Sequence, residues 1–225
     1  MNLRVNYFNN NIFLNDSNIQ VVEIENKKMF YKFISDLYLI KNGDYTNELY
    51  FYDNQNEEIN LQSKIEIYIN FFDLDLNSKK NLNSLNKKII NNLSDIDKQQ
   101  IFNIYKKMYK SVANILKNID LPLILNEDLI IDDIIKLFKV SINDKNDLLD
   151  NLLLLIDLES VLKTNEILFL VNLKQLLSKE ELEELYKYAI YNNITIILID
   201  SQSYGVKLNY ENKLIIDNEL EEFVL

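Results

Sequence analysis

The sequence predicts an α/β protein: a head domain built on a central sheet, with a purely helical leg domain inserted into it. Three observations predict this. Near the C-terminus a strand, a capped helix and a second strand follow one another at the length of a βαβ unit. Between about Asn77 and Ile119 there is no Gly, no Pro and no strand-like alternation. Strand patterns lie on both sides of that stretch. The expected division is 1–70 with 142–225 for the head and 71–141 for the leg.

Each element has a local reason. Leu3, Val5 and Tyr7 alternate, Asn9, Asn10 and Asn11 can turn, and Ile12 to Leu14 return, which predicts an N-terminal hairpin. Val21, Val22 and Ile24 read as a strand. Met29, Phe30, Phe33, Ile34, Leu37 and Tyr38 recur at helical spacing up to Gly43. Leu49 to Tyr52 is a strand, and Ile65, Ile67 and Ile69 alternate as another. In the leg, Leu82, Leu85, Ile89 and Leu93 form one apolar stripe. Ile101, Ile104, Tyr105, Met108, Val112, Ile115, Leu116 and Ile119 form a second. If continuous from Asp95 to Ile119, that second helix is a rod of about 37 Å at 1.5 Å per residue, and Pro122 stops it. Helices are expected from Asp128 to Phe138 and from Lys145 to Leu162. Ile167 to Val171 is a continuous apolar strand, Ser178 and Glu181 make a capping box for the next helix, and Ile194 to Ile199 closes the unit.

Composition removes whole classes of chemistry. His and Cys are absent, and the only glycines are Gly43 and Gly205. No glycine-rich loop can therefore cradle a phosphate, and His-based acid/base catalysis, Cys nucleophiles and His/Cys zinc sites are excluded. No cationic and apolar leader pattern opens the chain, and its longest apolar run, Leu152 to Ile156, is far too short to span a bilayer. A cytoplasmic protein is expected, consistent with zero cysteine.

What remains is charge. The chain carries −11 overall, yet residues 61–120 hold ten Lys against six acids. Lys106, Lys110 and Lys117 fall opposite the second apolar stripe, and Lys80 and Lys87 lie on the far side of the first. Such faces can follow a phosphate backbone; a merely solvated helix face is the alternative. Asn126, Glu127 and Asp128 with Asp132 and Asp133 make an acidic cluster. Its oxygens suit Ca²⁺, although acids in a first helical turn also favour the macrodipole. Asp16 with Glu25, Asn26 and Lys27 has the residue types of a metal-dependent nuclease, where two carboxylates hold Mg²⁺ and a lysine steadies the nucleophile. A protein-interaction scaffold is a third reading.

Met1 to Leu3, Val21 to Glu25 leading to Phe30 and Lys32, Phe51 to Asp53, Phe72 to Ser78, Ile134 to Lys136, Ile167 to Asn172 and Leu177 to Lys179 occur in an order and spacing found elsewhere. By these the chain resembles the ring-forming CRISPR-associated proteins of type II-A systems that take part in spacer acquisition. The resemblance spans essentially the whole chain and rests on collinearity, since none of these segments is a catalytic signature. It implies a head resembling nucleotide-binding folds but without a working phosphate loop, a helical leg, and a homotetrameric ring. It also implies no enzymatic activity, and binding of double-stranded linear DNA ends through a lysine-lined channel. The integrase pair and the RNA-guided nuclease of the same system are the implied partners. Calcium supports the ring in that family. Its acidic positions correspond to Glu127, Asp128 and Asp133, and one upstream acid of the pattern is Leu125 here.

Overall fold

Alternation at the N-terminus does form a hairpin, and its partners extend it into a small sheet. The computed structural model describes residues 1–14, 19–44, 46–126, 128, 130–163 and 167–225. β1 (Asn2–Val5) pairs antiparallel with β2 (Ile12–Phe13), placing Leu3 opposite Ile12. On its other side β1 pairs with β4 (Leu49–Tyr52), which pairs in turn with β5 (Glu58–Ile59).

The second sheet is larger and mostly parallel. Its order is β10-β9-β3-β8-β7-β6, with β3 (Ile19–Ile24), β6 (Ile65–Tyr68), β7 (Ile167–Val171), β8 (Thr195–Asp200), β9 (Glu211–Ile216) and the antiparallel edge strand β10 (Glu222–Val224). β7 and β8 lie side by side in parallel, joined by α6 (Lys179–Tyr191), whose Ser178–Glu181 capping box forms as expected. β3, β7 and β8 bury every residue except Thr195, because both faces of this sheet are covered.

One face joins the main core. Val22, Ile24, Phe169, Val171, Ile197 and Ile199 cluster with Leu3, Val5 and Phe51 of the small sheet. Phe33, Ile34 and Leu37 of α1 (Lys27–Asn42) join the same cluster. Gly43 ends α1 at φ 82°, and a Cβ there would lie 2.3 Å from the Gln62 side-chain nitrogen. The alternate strand residues face the other way, where α6 contributes Leu185, Tyr186 and Ala189 and packs against α5 (Leu148–Leu162).

The chain divides into two units, 1–74 with 144–225 and 75–143. The α/β class with an inserted helical unit is thus the one the sequence predicts. Unit 75–143 holds α2 (Lys79–Asn92), α3 (Asp95–Leu116) and α4 (Ile131–Leu137), and α2 packs on α4. Asn77 bonds reciprocally with Ile142, its side-chain amide donating to the carbonyl (3.0 Å) and its oxygen accepting from the N–H (2.7 Å).

Three helix boundaries differ from expectation by three residues; one is the start of α5, at Leu148 rather than Lys145 because Asp147 caps the helix there. α3 stops at Leu116, three residues short of Ile119, since Asn118 and Ile119 donate to Ile115 and Leu116 in a tightened last turn. Its 22 residues make a rod of about 33 Å. α4 begins at Ile131 rather than Asp128, because Asp128 donates its N–H to the Asn126 side chain (3.0 Å) instead of entering a helix.

Candidate functional site

The inserted unit begins from an electrostatic fact. Residues 75–143 carry eleven Lys and eight acids in a chain of net −11. Caps fix where its long helices start: the Ser78 hydroxyl accepts from Asn81 N–H (3.3 Å), and Ser94 with Asp97 forms a full capping box for α3.

On α3 the two faces differ in kind. Lys106, Lys110 and Lys117 lie within an arc of about 40° at 100° per residue, and all three are exposed. The Lys106 ammonium sits 4.3 Å over the Phe102 ring, and Lys117 lies 3.5 Å from the Asn114 side-chain oxygen. On the opposite face Ile104, Met108, Val112 and Ile115 are exposed to 59%, 60%, 43% and 63%. Tyr105, Tyr109 and Leu116 beside them are half-buried. An apolar stripe left in solvent over three turns exceeds what scattered surface residues explain. Lys80 and Lys87 are exposed on one face of α2. Lys79, Lys88, Lys98 and Lys107, also exposed on these helices, were not among the residues expected to meet phosphate. Their offset from the apolar stripe is the sequence signal that could have added them.

Between α3 and α4 lies a cavity of about 470 Å³ with an apolar lining that includes Ile101, Met108, Ile134 and Phe138. Asp128 and Asp133, two of the predicted calcium ligands, are among its lining residues. Glu127, the third, lies outside the described residues. Carboxylate oxygens at Asp128 and Asp133 are the donor type a hard cation takes. Among the described residues no three carboxylates stand close enough to hold a metal ion. Asp132 is engaged elsewhere, pairing with Lys136 one turn on and holding that ammonium's pKa above its ordinary value.

In the sheet unit, the turn from β3 into α1 is the place where nucleotide-binding sheets present free N–H groups to phosphate. Here Asn26 Oδ1 takes the Lys28 and Met29 N–H groups (both 3.2 Å), and the Asn26 amide donates to the Asn218 carbonyl (3.0 Å). Glu25 accepts from the Asn218 amide (3.2 Å). The helix N-terminus is closed by the chain's own groups and flanked by a carboxylate. Glu25 and Lys27 sit at this junction; Asp16, the other member of the nuclease alternative, lies outside the described residues. Among the described residues no helix is long and apolar enough to cross a membrane.

Residues 42–220 match the family model described as CRISPR-associated protein (Cas_Csn2). Among solved structures, the crystal structure of Stu0660 of Streptococcus thermophilus is similar, with a TM-score of 0.64 at 18% identity, covering 100% of this chain and 76% of that one. A comparison with curated proteins gives no match.

Proposed function

The chain belongs to the CRISPR-associated Cas_Csn2 family, and from that membership we propose that it is a non-enzymatic, cytoplasmic, ring-forming protein that binds ends of double-stranded DNA during spacer acquisition. One observation carries this reading: α3 presents exposed lysines on one side and an exposed apolar stripe on the other. The apolar side suits a second copy of the chain, and the lysine side suits phosphate. Cyclic association into a tetramer brings several cationic faces together and leaves the acidic remainder outward, which reconciles a net charge of −11 with binding a polyanion. Lys80, Lys87, Lys106, Lys110 and Lys117 supply the phosphate contacts. Ammonium groups act as point charges, so they position duplex without reading its sequence. Asp128 and Asp133, with Glu127, would hold calcium beside α3 and steady the α3–α4 pair. The integrase pair and the RNA-guided nuclease of the same system are the partners this role needs.

The test compares one plasmid before and after linearisation, at equal mass and salt, in magnesium and in calcium. Binding to the linear form alone, without cleavage, supports a threaded ring. Equal binding to both forms leaves only a surface patch, and cleavage in magnesium would favour a nuclease that includes Glu25 and Lys27.

A further inference from the structure

Several elements of the sheet unit send ionisable side chains to one buried spot, on the sheet face away from the main core. Glu23 of β3 accepts from Lys213 Nζ of β9 (2.8 Å) and Lys174 Nζ of the 3₁₀ turn Leu173–Gln175 (3.3 Å). Glu211 of β9 accepts from Lys174 Nζ (2.7 Å) and from the Tyr186 hydroxyl of α6 (2.9 Å). Asp200 ends β8 at the same place with 0% exposure, and its carboxylate oxygens have no side-chain hydrogen-bond partner among the described residues, the backbone N–H of Lys174 being the donor that acts on them. The cluster therefore sets three carboxylates against two ammonium groups.

Segment 201–210 is fastened down by these same groups. Ser203 Oγ (3.0 Å) and Tyr204 N–H (3.2 Å) donate to Glu23, Leu208 N–H donates to Glu211 (3.0 Å), and the Val206 carbonyl accepts from Lys213 Nζ (2.9 Å). Gln202, Gly205, Val206 and Lys207 are exposed above. The segment leaves from the carboxyl end of β8, next to that of β3, the region where parallel α/β sheets hold ligands.

We propose that segment 201–210, which crosses the sheet face from the carboxyl end of β8 to the amino end of β9, is a proton-controlled flap: pinned while Asp200 is neutral and the cluster is balanced, released when Asp200 ionises and adds an uncompensated buried charge. Lys174, Glu23, Glu211, Lys213, Tyr186 and Tyr204 are the titratable groups around it. Burial pushes the Asp200 carboxyl up to about 7; Lys174 opposes this, while Glu23 and Glu211 reinforce it. A carboxyl raised in the closed state stabilises closure fully below its ordinary value, and that stabilisation is lost as pH rises through about 7. Glu23 acts in the opposite sense. Burial opposes its charge, but Lys213, Lys174 and Ser203 hold its pKa below the ordinary value, so it loses its contribution only in acid. As pH rises from the ordinary carboxylate range towards about 7, Asp200 alone of these two changes its contribution.

Hydrogen exchange at the Tyr204 and Leu208 amides, corrected for intrinsic amide rates, reads the flap. The opening constant should rise about tenfold per pH unit up to neutrality and then level off, and Asp200→Asn should abolish the rise. A flat wild-type profile, or the same slope in Asp200→Asn, overturns the proposal. Should that variant fail to fold, carboxyl NMR titration of the wild-type protein decides instead. A midpoint near neutrality supports the flap, and one near the ordinary aspartate value of about 3.9 refutes it.

Discussion

The two units of this chain use apolar residues in opposite ways. In the sheet unit, Phe169, Leu198 and Ile199 are fully buried, and the strands that carry them are covered on both faces. In the inserted unit α3 has no buried residue at all, although its apolar stripe is just as regular. The same periodic signal thus marks a finished core in one unit and an unfinished one in the other. An unfinished core costs little while the chain is alone, and becomes useful only when something else completes it.

The largest expected difference is in stability. Phe169→Ala should cost about 3–5 kcal/mol in urea denaturation, since a deeply buried ring leaves a cavity. Met108→Ala should change the single chain by less than about 0.5 kcal/mol yet shift the assembled mass seen by light scattering. An equal loss of stability at both sites would abolish the distinction between the units.

Calcium comes next. If Glu127, Asp128 and Asp133 hold it, a hundredfold excess over Kd should stabilise the protein by about 2.7 kcal/mol. Asp128→Asn with Asp133→Asn should erase that gain, and should leave the melting temperature in chelator nearly unchanged. Equal destabilisation in both conditions would mean that Asp133 serves only the start of α4 and Asp128 only the turn before it.

Smaller still is the loss of a helix cap. Ser178→Ala and Ser94→Ala each remove the hydroxyl of a full capping box, worth about 1 kcal/mol. In α6 the loss should lower the global unfolding midpoint, because Leu185 and Tyr186 are built into the sheet unit. In α3 it should appear as faster hydrogen exchange confined to the first turn. Smallest in stability, though not in function, is Lys106→Glu with Lys110→Glu. It should stay within about 0.5 kcal/mol of wild type. The slope of log K against log salt for linear duplex should become shallower by about 0.9 for each phosphate that is no longer neutralised.

The sequence displays one unit far better than the other kind of information the fold holds. β7 is readable to the residue, because an unbroken Ile-Leu-Phe-Leu-Val run bounded by polar residues has few other fates. β9 was not foreseen, and neither were β5 and β10. β9 places Glu211 and Lys213 inward, so its pattern looks broken until Glu23 and Lys174 are seen beside them. Compensation between residues as far apart as Glu23 and Lys174 leaves no periodic trace. The isolated Glu23 within Val21-Val22-Glu23-Ile24 was the available hint. The lysine faces of α2 and α3 were legible because helical spacing is local. That Asp128 and Asp133 line one cavity with residues of α3 depends on where the chain after α3 places α4, which no local pattern shows.

The reciprocal bonds between Asn77 and Ile142 bear on how such a molecule can vary. They tie together two points 65 residues apart in sequence, so the insertion hangs from a closed stem. The entropic cost of closing a loop grows only as the logarithm of its length, about 0.6 kcal/mol for each doubling. Helices could therefore be lengthened, shortened or exchanged beyond that stem at little cost to the clasp. Changes in the span of the helical part are open to natural variation, and to deliberate grafting, without a redesign of the strands that carry it.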